Sequence, residues 1–282
     1  MMPFIGSEAL ARSELTSHAL RTRFTAVYPN VYLPSETEVT ALARARAAWL
    51  WSGCRGVVAG RSAAALHGAK WVDARLPAEV HWNNRRPPRG IIVWSGTVSE
   101  DERQVIDGVA VTTPVRTALD MACRYPTEQA VAGIDALARA TGLKRTDLNA
   151  LAQCCTGRRG ARAARQVLRL VDPGAESPRE TWLRLLLIRA GLPVPATQIA
   201  VRNEYGVVVA VIDMGWEGLK IAAEYDGEHH WADRRQFHKD IRRAETLHEL
   251  GWLHIRVTAE DTEGGILRRV RAAFAHRTAQ RT

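Results

Sequence analysis

The sequence has little lysine, no paired cysteine motif and no long apolar run. Only 4 of its 39 basic residues are lysine, so arginine carries almost all of the positive charge. The four cysteines form no Cys-x-x-Cys pair, which argues against structural zinc, and a chain of 282 residues needs no disulfide framework. Apolar runs such as 185–188 are far too short for a membrane span. A basic segment followed by an apolar core is absent from the N-terminus, which predicts a cytoplasmic protein.

The sequence has more basic than acidic residues, and the excess positive charge is unevenly distributed. The net charge is +9, of which residues 120–174, the shortest of three segments, contribute +4. One set of arginines in this segment is spaced by four, three and four residues, which places them on one helix face: Arg158, Arg162, Arg165 and Arg169. Such a face predicts contact with a nucleic-acid backbone. The alternative is a solvated helix face in a chain whose arginine content reflects genomic base composition.

The pattern of turns and apolar periods predicts three regions. Residues 1–120 read as an α+β domain, with a winged helix at 1–33 and a Ser35 capping box that starts the next helix. Residues 121–172 read as a basic helical connector, and the Pro173-Gly174 turn marks a boundary. Residues 173–282 read as an α/β domain with the order α-β-β-β-α-β-α.

Three carboxylates stand out in the last region. Asp213 ends an apolar strand, and Glu224 and Asp226 lie two residues apart on the next strand, where their side chains share a face. Carboxylates held this close repel one another unless a cation lies between them. Because hard divalent cations prefer oxygen ligands, the pattern predicts a metal that activates water beside a phosphate.

A family resemblance covers residues 176–262. The matching segments are Ser177-Pro178-x-Glu180, Gly191-Leu192-Pro193, Asp213, Glu224-Tyr225-Asp226-Gly227-x-x-His230, Asp240-x-x-Arg243, Gly251-Trp252 and Arg256-Val257-Thr258. They resemble domain-of-unknown-function family 559, which is akin to very-short-patch-repair endonucleases of the PD-(D/E)XK superfamily. The resemblance implies a restriction-endonuclease-like fold and hydrolysis of DNA phosphodiesters.

Roles follow from that resemblance by position. Asp213 and Glu224, completed by Glu180, would bind Mg²⁺ or Mn²⁺, and His230 would act as general base or stabilise the leaving oxygen. Asp226 stands where the superfamily usually has lysine, which puts catalysis in doubt. Lys239 on the following helix could return that positive charge.

Structural roles compete with several of these assignments. Glu180 is also the third helical residue after Ser177, where it completes a capping box. Asp240 and Arg243 are spaced to pair along a helix, and Arg256 is expected to be a structural partner for Asp240.

The N-terminal half shows a second resemblance. Arg61-Ser62-Ala63-Ala64-Ala65-Leu66-His67-Gly68 and the segment 107–120, with Arg116 and Asp120, resemble antitoxins of abortive-infection (type IV) toxin–antitoxin systems. The resemblance implies a winged helix that binds DNA. Capping and intradomain ion pairs are the structural alternative for Arg61 and Arg116.

Two functional hypotheses result. In the first, the chain is a metal-dependent endonuclease that holds duplex DNA with its arginine face. In the second, it is an antitoxin-like DNA-binding regulator whose nuclease fold is inactive. A homodimer or a toxin-like protein is the expected protein partner in either case.

Overall fold

The chain folds into two compact units, Met1–Pro173 and Gly174–Thr282. The computed structural model describes residues 2–84, 86–154, 159–227 and 234–280. Across these ranges, no helix is long and apolar enough to cross a membrane.

The first unit begins with a small sheet and two short helices. Its elements are β1 (Phe4–Ile5), α1 (Gly6–Ala11), α2 (Ser17–Arg23), β2 (Phe24–Tyr28) and β3 (Val31–Pro34). The strands pair antiparallel in the order β1-β3-β2. Asn30 turns the β2–β3 hairpin with a φ of 63°, and its side-chain oxygen accepts a hydrogen bond from the Ser7 N–H at 2.9 Å. This confirms the predicted hairpin, while the winged helix remains a prediction.

A five-stranded mixed sheet follows. Its elements are α3 (Ala41–Trp51), β4 (Val57–Val58), α4 (Gly60–Leu66), β5 (Ala78–His81), β6 (Ile91–Trp94), β7 (Arg103–Ile106) and β8 (Val109–Thr112). The strand order is β6-β5-β4-β8-β7. Asp107 and Gly108 both have positive φ, which fits the tight antiparallel turn between β7 and β8. Val58, Val80 and Val111 are fully buried at the centre of this sheet.

Four helices complete the first unit. They are α5 (Pro114–Arg124), α6 (Thr127–Thr141), α7 (Arg145–Cys154) and α8 (Ala161–Leu170). Thr113 caps α5, as predicted, because its hydroxyl accepts a hydrogen bond from the Arg116 N–H. Since α5 runs from 114 to 124, the boundary expected after residue 120 falls inside a helix.

The second unit places helices around a four-stranded sheet. Its elements are α9 (Pro178–Arg189), β9 (Ala196–Arg202), β10 (Val208–Trp216), β11 (Ile221–Tyr225), α10 (Arg234–Glu249), β12 (Leu253–Val257) and α11 (Glu263–Ala279). Their order is the predicted α-β-β-β-α-β-α. The sheet runs β12-β11-β10-β9, with β11 and β12 parallel and the other pairs antiparallel. A parallel pair needs a crossover connection, and α10 supplies it.

Two apolar clusters hold this second sheet. Leu183 and Leu187 of α9 pack with Met214 of β10 and Val270 of α11. Leu247 of α10 lies in a separate cluster with residues of β9, β10 and β11. The carboxylate-bearing strands β10 and β11 therefore form the middle of a covered sheet.

Candidate functional site

The acidic site of the second unit is built on β10 and β11. Met214 pairs with Ala223 across these antiparallel strands, so Asp213 and Glu224 lie beside each other. The Asp213 backbone N–H donates to Oε1 of Glu224 at 3.3 Å. The structure thus brings together the two carboxylates that the sequence pattern selected.

Glu224 is fully engaged by two cationic or polar side chains. Arg243 of α10 donates from both terminal nitrogens to the two Glu224 oxygens, with Nη1 at 2.8 Å from Oε2, and also donates to the Val211 carbonyl. Nε2 of His254, on β12, lies 2.6 Å from Oε2 of Glu224. Burial alone would raise the pKa of Glu224, but the hydrogen bonds from Arg243 and His254 outweigh it and lower the pKa to about 2.

Asp213 titrates in the opposite direction. Burial is the main reason that its pKa is raised to about 7, and the negative charges of Glu224, Glu180 and Glu176 add to the rise. Arg243 opposes this change without cancelling it. Two neighbouring carboxylates therefore differ widely in proton affinity, because only Glu224 has the arginine and the histidine against it.

Glu180 makes hydrogen bonds at the start of α9, and its predicted role as a metal ligand stays a prediction. It is buried on α9, its N–H donates to the Ser177 hydroxyl at 3.2 Å, and its own carboxylate accepts from the Glu176 N–H at 2.8 Å. This is helix-end hydrogen bonding. The same carboxylate is near enough to raise the pKa of Asp213.

Asp226 faces a different arginine. Its side chain forms an ion pair with Arg256 of β12, and its N–H donates to the Val257 carbonyl at 2.7 Å. Parallel pairing of β11 and β12 puts Arg256 next to the Asp226 strand. Arg243 binds Glu224. The side chain of Asp240 lies outside the described residues, so the pairs expected between Asp240 and these two arginines stay predictions.

The structure does not describe the side chains of three predicted residues. His230 and Arg158 lie outside the described residues. Lys239 belongs to the backbone of α10, and the position of its side chain is outside that description too. Their predicted roles stay predictions.

The acidic site, as arranged here, does not fit a divalent cation. Both Glu224 oxygens are already held by Arg243 and His254. Within residues 2–84, 86–154, 159–227 and 234–280, no group of three histidine, cysteine, aspartate or glutamate side chains is placed to hold a metal. The predicted Mg²⁺ or Mn²⁺ site therefore remains a prediction, and it requires Arg243 to move away from Glu224.

Sequence reasoning missed His254 as a partner of the site. Its strand shows no acidic motif, and it reaches Glu224 only because β12 pairs with β11. The only available signal was the alternation of side chains along strand 253–257. It places residue 254 on the opposite face of the sheet from the buried Ile255.

The arginine face of the first unit is exposed. Arg162, Arg165 and Arg169 are all exposed on α8, whereas Ala164, Val167 and Leu168 of the same helix are buried. Three of the four predicted guanidinium groups thus lie on one solvent-facing side. None of the ion pairs recorded for the described chain uses them.

Comparison with known proteins places the chain among relatives. Two curated proteins of Mycobacterium tuberculosis, uncharacterized protein MT2308 (strain CDC 1551 / Oshkosh) and uncharacterized protein Rv2248 (strain ATCC 25618 / H37Rv), are each 30% identical to it over 257 residues. The alignment covers 89% of this chain and 92% of each relative. The chain belongs to their family.

A second comparison matches part of the chain to a family model. Residues 56–170 match the model of the AbiEi antitoxin C-terminal domain. On the fold, this range runs from the start of β4 to the end of α8, so it includes the five-stranded sheet and the arginine face. The predicted antitoxin resemblance is confirmed for these residues. No solved structure matches the chain.

Proposed function

We propose that this family member is an antitoxin-like regulator that binds duplex DNA through the exposed arginine face of α8. The observation that carries the proposal is the match of residues 56–170 to the AbiEi antitoxin C-terminal domain. That range ends on the helix whose exposed side is arginine.

Electrostatics supports DNA as the partner. The chain has a net charge of +9, and guanidinium groups remain charged and bind phosphate oxygens in pairs. Arg162, Arg165 and Arg169 have no carboxylate partner among the recorded ion pairs, so their charges stay available for phosphates. Such contacts give affinity without base specificity.

A reporter assay tests regulation. The chain's own upstream DNA drives a reporter in the presence of wild-type protein or the variant R162Q/R165Q/R169Q. We expect repression by the wild type and its loss in the variant, because three phosphate-binding charges are removed.

The matched control removes three charges from exposed arginines elsewhere. These are Arg12, Arg75 and Arg268. Repression that survives in this control but fails in the α8 variant supports the proposal. Equal repression by all three proteins would contradict it.

An antitoxin role also implies protein partners. A toxin-like protein or a second copy of the chain is therefore part of the proposal. Light scattering of the purified chain, alone and mixed with the product of an adjacent gene, measures both kinds of assembly. A monomer that never enters a complex would reject this part.

A metal-dependent endonuclease is the second candidate, favoured by one observation. Burial, together with the negative charges of Glu224, Glu180 and Glu176, raises the pKa of Asp213 to about 7. A cation would relieve that repulsion. His230, Asp226 and Lys239 keep their predicted catalytic roles within this candidate.

Plasmid nicking tests the second candidate. Wild type and D213N/E224Q are incubated with supercoiled, mismatched and single-stranded DNA in Mg²⁺, Mn²⁺ or EDTA. Nicking that needs the metal and disappears in the variant would establish a nuclease. Intact DNA under every condition, with unchanged DNA binding, would leave the regulator as the function.

A further inference from the structure

The first unit contains a cleft that neither hypothesis uses. Its volume is about 900 Å³, and its wall is formed by α4, β5, β6, α5 and the start of α6. Four arginines line it, namely Arg61, Arg116, Arg124 and Arg159. The volume lies in the range of sites that enclose small organic ligands.

Aromatic rings hold two of these arginines in place. The Arg61 guanidinium lies 4.0 Å from the ring centre of Tyr125 and donates to the Gln129 side-chain oxygen at 2.6 Å. The Arg124 guanidinium lies 4.4 Å from the ring centre of Trp94. These cation–π contacts hold both guanidinium groups against the rings, and guanidinium groups carry further N–H donors. The covered rings are therefore supports for arginine rather than surfaces for a ligand.

The carboxylates of the cleft are already satisfied by other groups. Glu79 accepts from the Arg61 backbone N–H at 2.7 Å and from the Tyr125 hydroxyl. Asp120 accepts from Nε of Arg116 at 3.0 Å and lies 2.8 Å from Nε2 of His81. No ion pair recorded in the described chain involves Arg61, Arg124 or Arg159. The cleft consequently presents three arginines outside the recorded ion pairs, with the carboxylate of Glu79 close enough to feel the charges of Arg61 and Arg124.

The two antitoxin-like segments meet at this cleft. The first supplies Arg61, and the second supplies Arg116 and Asp120, although the segments are separated by about forty positions in the sequence. Arg116 is buried and binds Glu102 and Asp120, so it stiffens the wall rather than meeting a ligand. Burial raises the pKa of Glu79, while hydrogen bonds from Tyr125 and Arg61 act against that rise.

We propose that this cleft binds a small organic phosphate of nucleotide size, with Arg61 and Arg124 as its phosphate-binding residues. Guanidinium groups can donate two parallel hydrogen bonds to the oxygens of one phosphate, and the ring contacts restrain these two groups. The remaining volume accommodates the organic part. A DNA phosphate could supply the same chemistry, and the experiment separates the two sources.

Calorimetric titration of the full-length chain tests the proposal. The probes are ATP and inorganic pyrophosphate. EDTA is present so that the measured affinity comes from the arginines and not from a bound metal ion. We expect wild type to bind ATP and R61Q/R124Q to bind it about tenfold or more weakly, since charge-assisted hydrogen bonds are lost. R12Q/R75Q, which makes the same charge change at exposed positions outside the cleft, should bind like wild type.

Separate variants control for misfolding and for DNA binding. Arg124 is exposed, so R124Q alone is expected to keep the wild-type unfolding temperature and still lose ATP affinity. The α8 variant R162Q/R165Q/R169Q should retain ATP binding even where it fails to repress, so the two proposals fail independently. Absence of ATP and pyrophosphate binding by wild type, or equal affinity in R61Q/R124Q, would overturn the proposal. Loss of duplex DNA binding in R61Q/R124Q, without any ATP binding by wild type, would assign the cleft to DNA instead.

Discussion

At the scale of single residues, the acidic site shows how neighbours set protonation. Asp213 and Glu224 are adjacent, yet burial and three carboxylates raise the pKa of one to about 7, while Arg243 and His254 lower that of the other to about 2. The positions of both acids were predictable from strand patterning. Their titration was not, because Arg243 and His254 come from elements 19 and 30 residues away from Glu224.

Replacing Asp213 with asparagine should stabilise the protein above neutral pH. The folded state holds a proton on Asp213 up to pH about 7, whereas the unfolded chain releases it near its ordinary pKa of 3.8. Wild-type stability therefore falls as pH rises between these values, by up to about 4 kcal/mol. In urea unfolding with EDTA, D213N should gain most at pH 8 and almost nothing at pH 4. Equal gains at both pH values would contradict this assignment.

Removing Arg243 should expose the dependence of Glu224 on its partner. R243Q leaves a buried carboxylate with His254 alone, and we expect a loss of about 3 kcal/mol at pH 7. The folded pKa of Glu224 is depressed, so the stabilisation from the pair is present above pH about 4.5 and disappears as pH falls towards 2. The loss caused by R243Q should shrink over that window.

R242Q is the matched control for this prediction. Arg242 is exposed on the same helix and differs from Arg243 by one position. Thermal unfolding should show R242Q close to wild type at every pH. A loss in R242Q as large as that in R243Q would mean that net charge, and not the Glu224 pair, is responsible.

At the scale of elements, two predicted helix caps form in the structure and a third does not. Thr113 and Ser177 cap α5 and α9 as predicted. The Ser35 capping box was wrong, since the next helix starts at Ala41 with Thr40 as its cap. The Ser35 N–H instead donates to the Arg23 carbonyl at 2.9 Å beside the hairpin. Ser35 therefore extends the pairing of the hairpin and does not cap the helix.

The junction of β4 and α4 offers a sharp test of packing at the cleft. Gly60 has a φ of 53°, and a methyl group there would come within 2.5 Å of Glu79, Trp94 and Tyr125. G60A should therefore lose about 3 kcal/mol and disturb the cleft. Gly68 also has positive φ, but open space surrounds it, so G68A should cost only about 1 kcal/mol. Chemical denaturation of both variants checks the difference, and similar losses would refute the packing argument.

At the scale of the whole molecule, composition and spacing predicted an exposed basic surface more fully than they predicted the state of the acidic site. The arginine excess and the spacing of Arg162, Arg165 and Arg169 predicted an exposed basic face, and the structure places all three on the solvent side of α8. The order of elements in the second unit was also predictable from its turns and apolar periods. The state of the acidic site was not, since it depends on contacts made only after β11, β12 and α10 assemble.

The salt dependence of duplex binding tests the central claim most directly. Association constants for wild type and R162Q/R165Q/R169Q are measured by fluorescence anisotropy in EDTA over a series of salt concentrations. Each phosphate contact contributes a slope of about −0.9 in a plot of log K against log salt. The account predicts strong salt dependence for wild type and a slope shallower by about two to three in the variant. Identical slopes for the two proteins, or wild-type binding that is insensitive to salt, would contradict it.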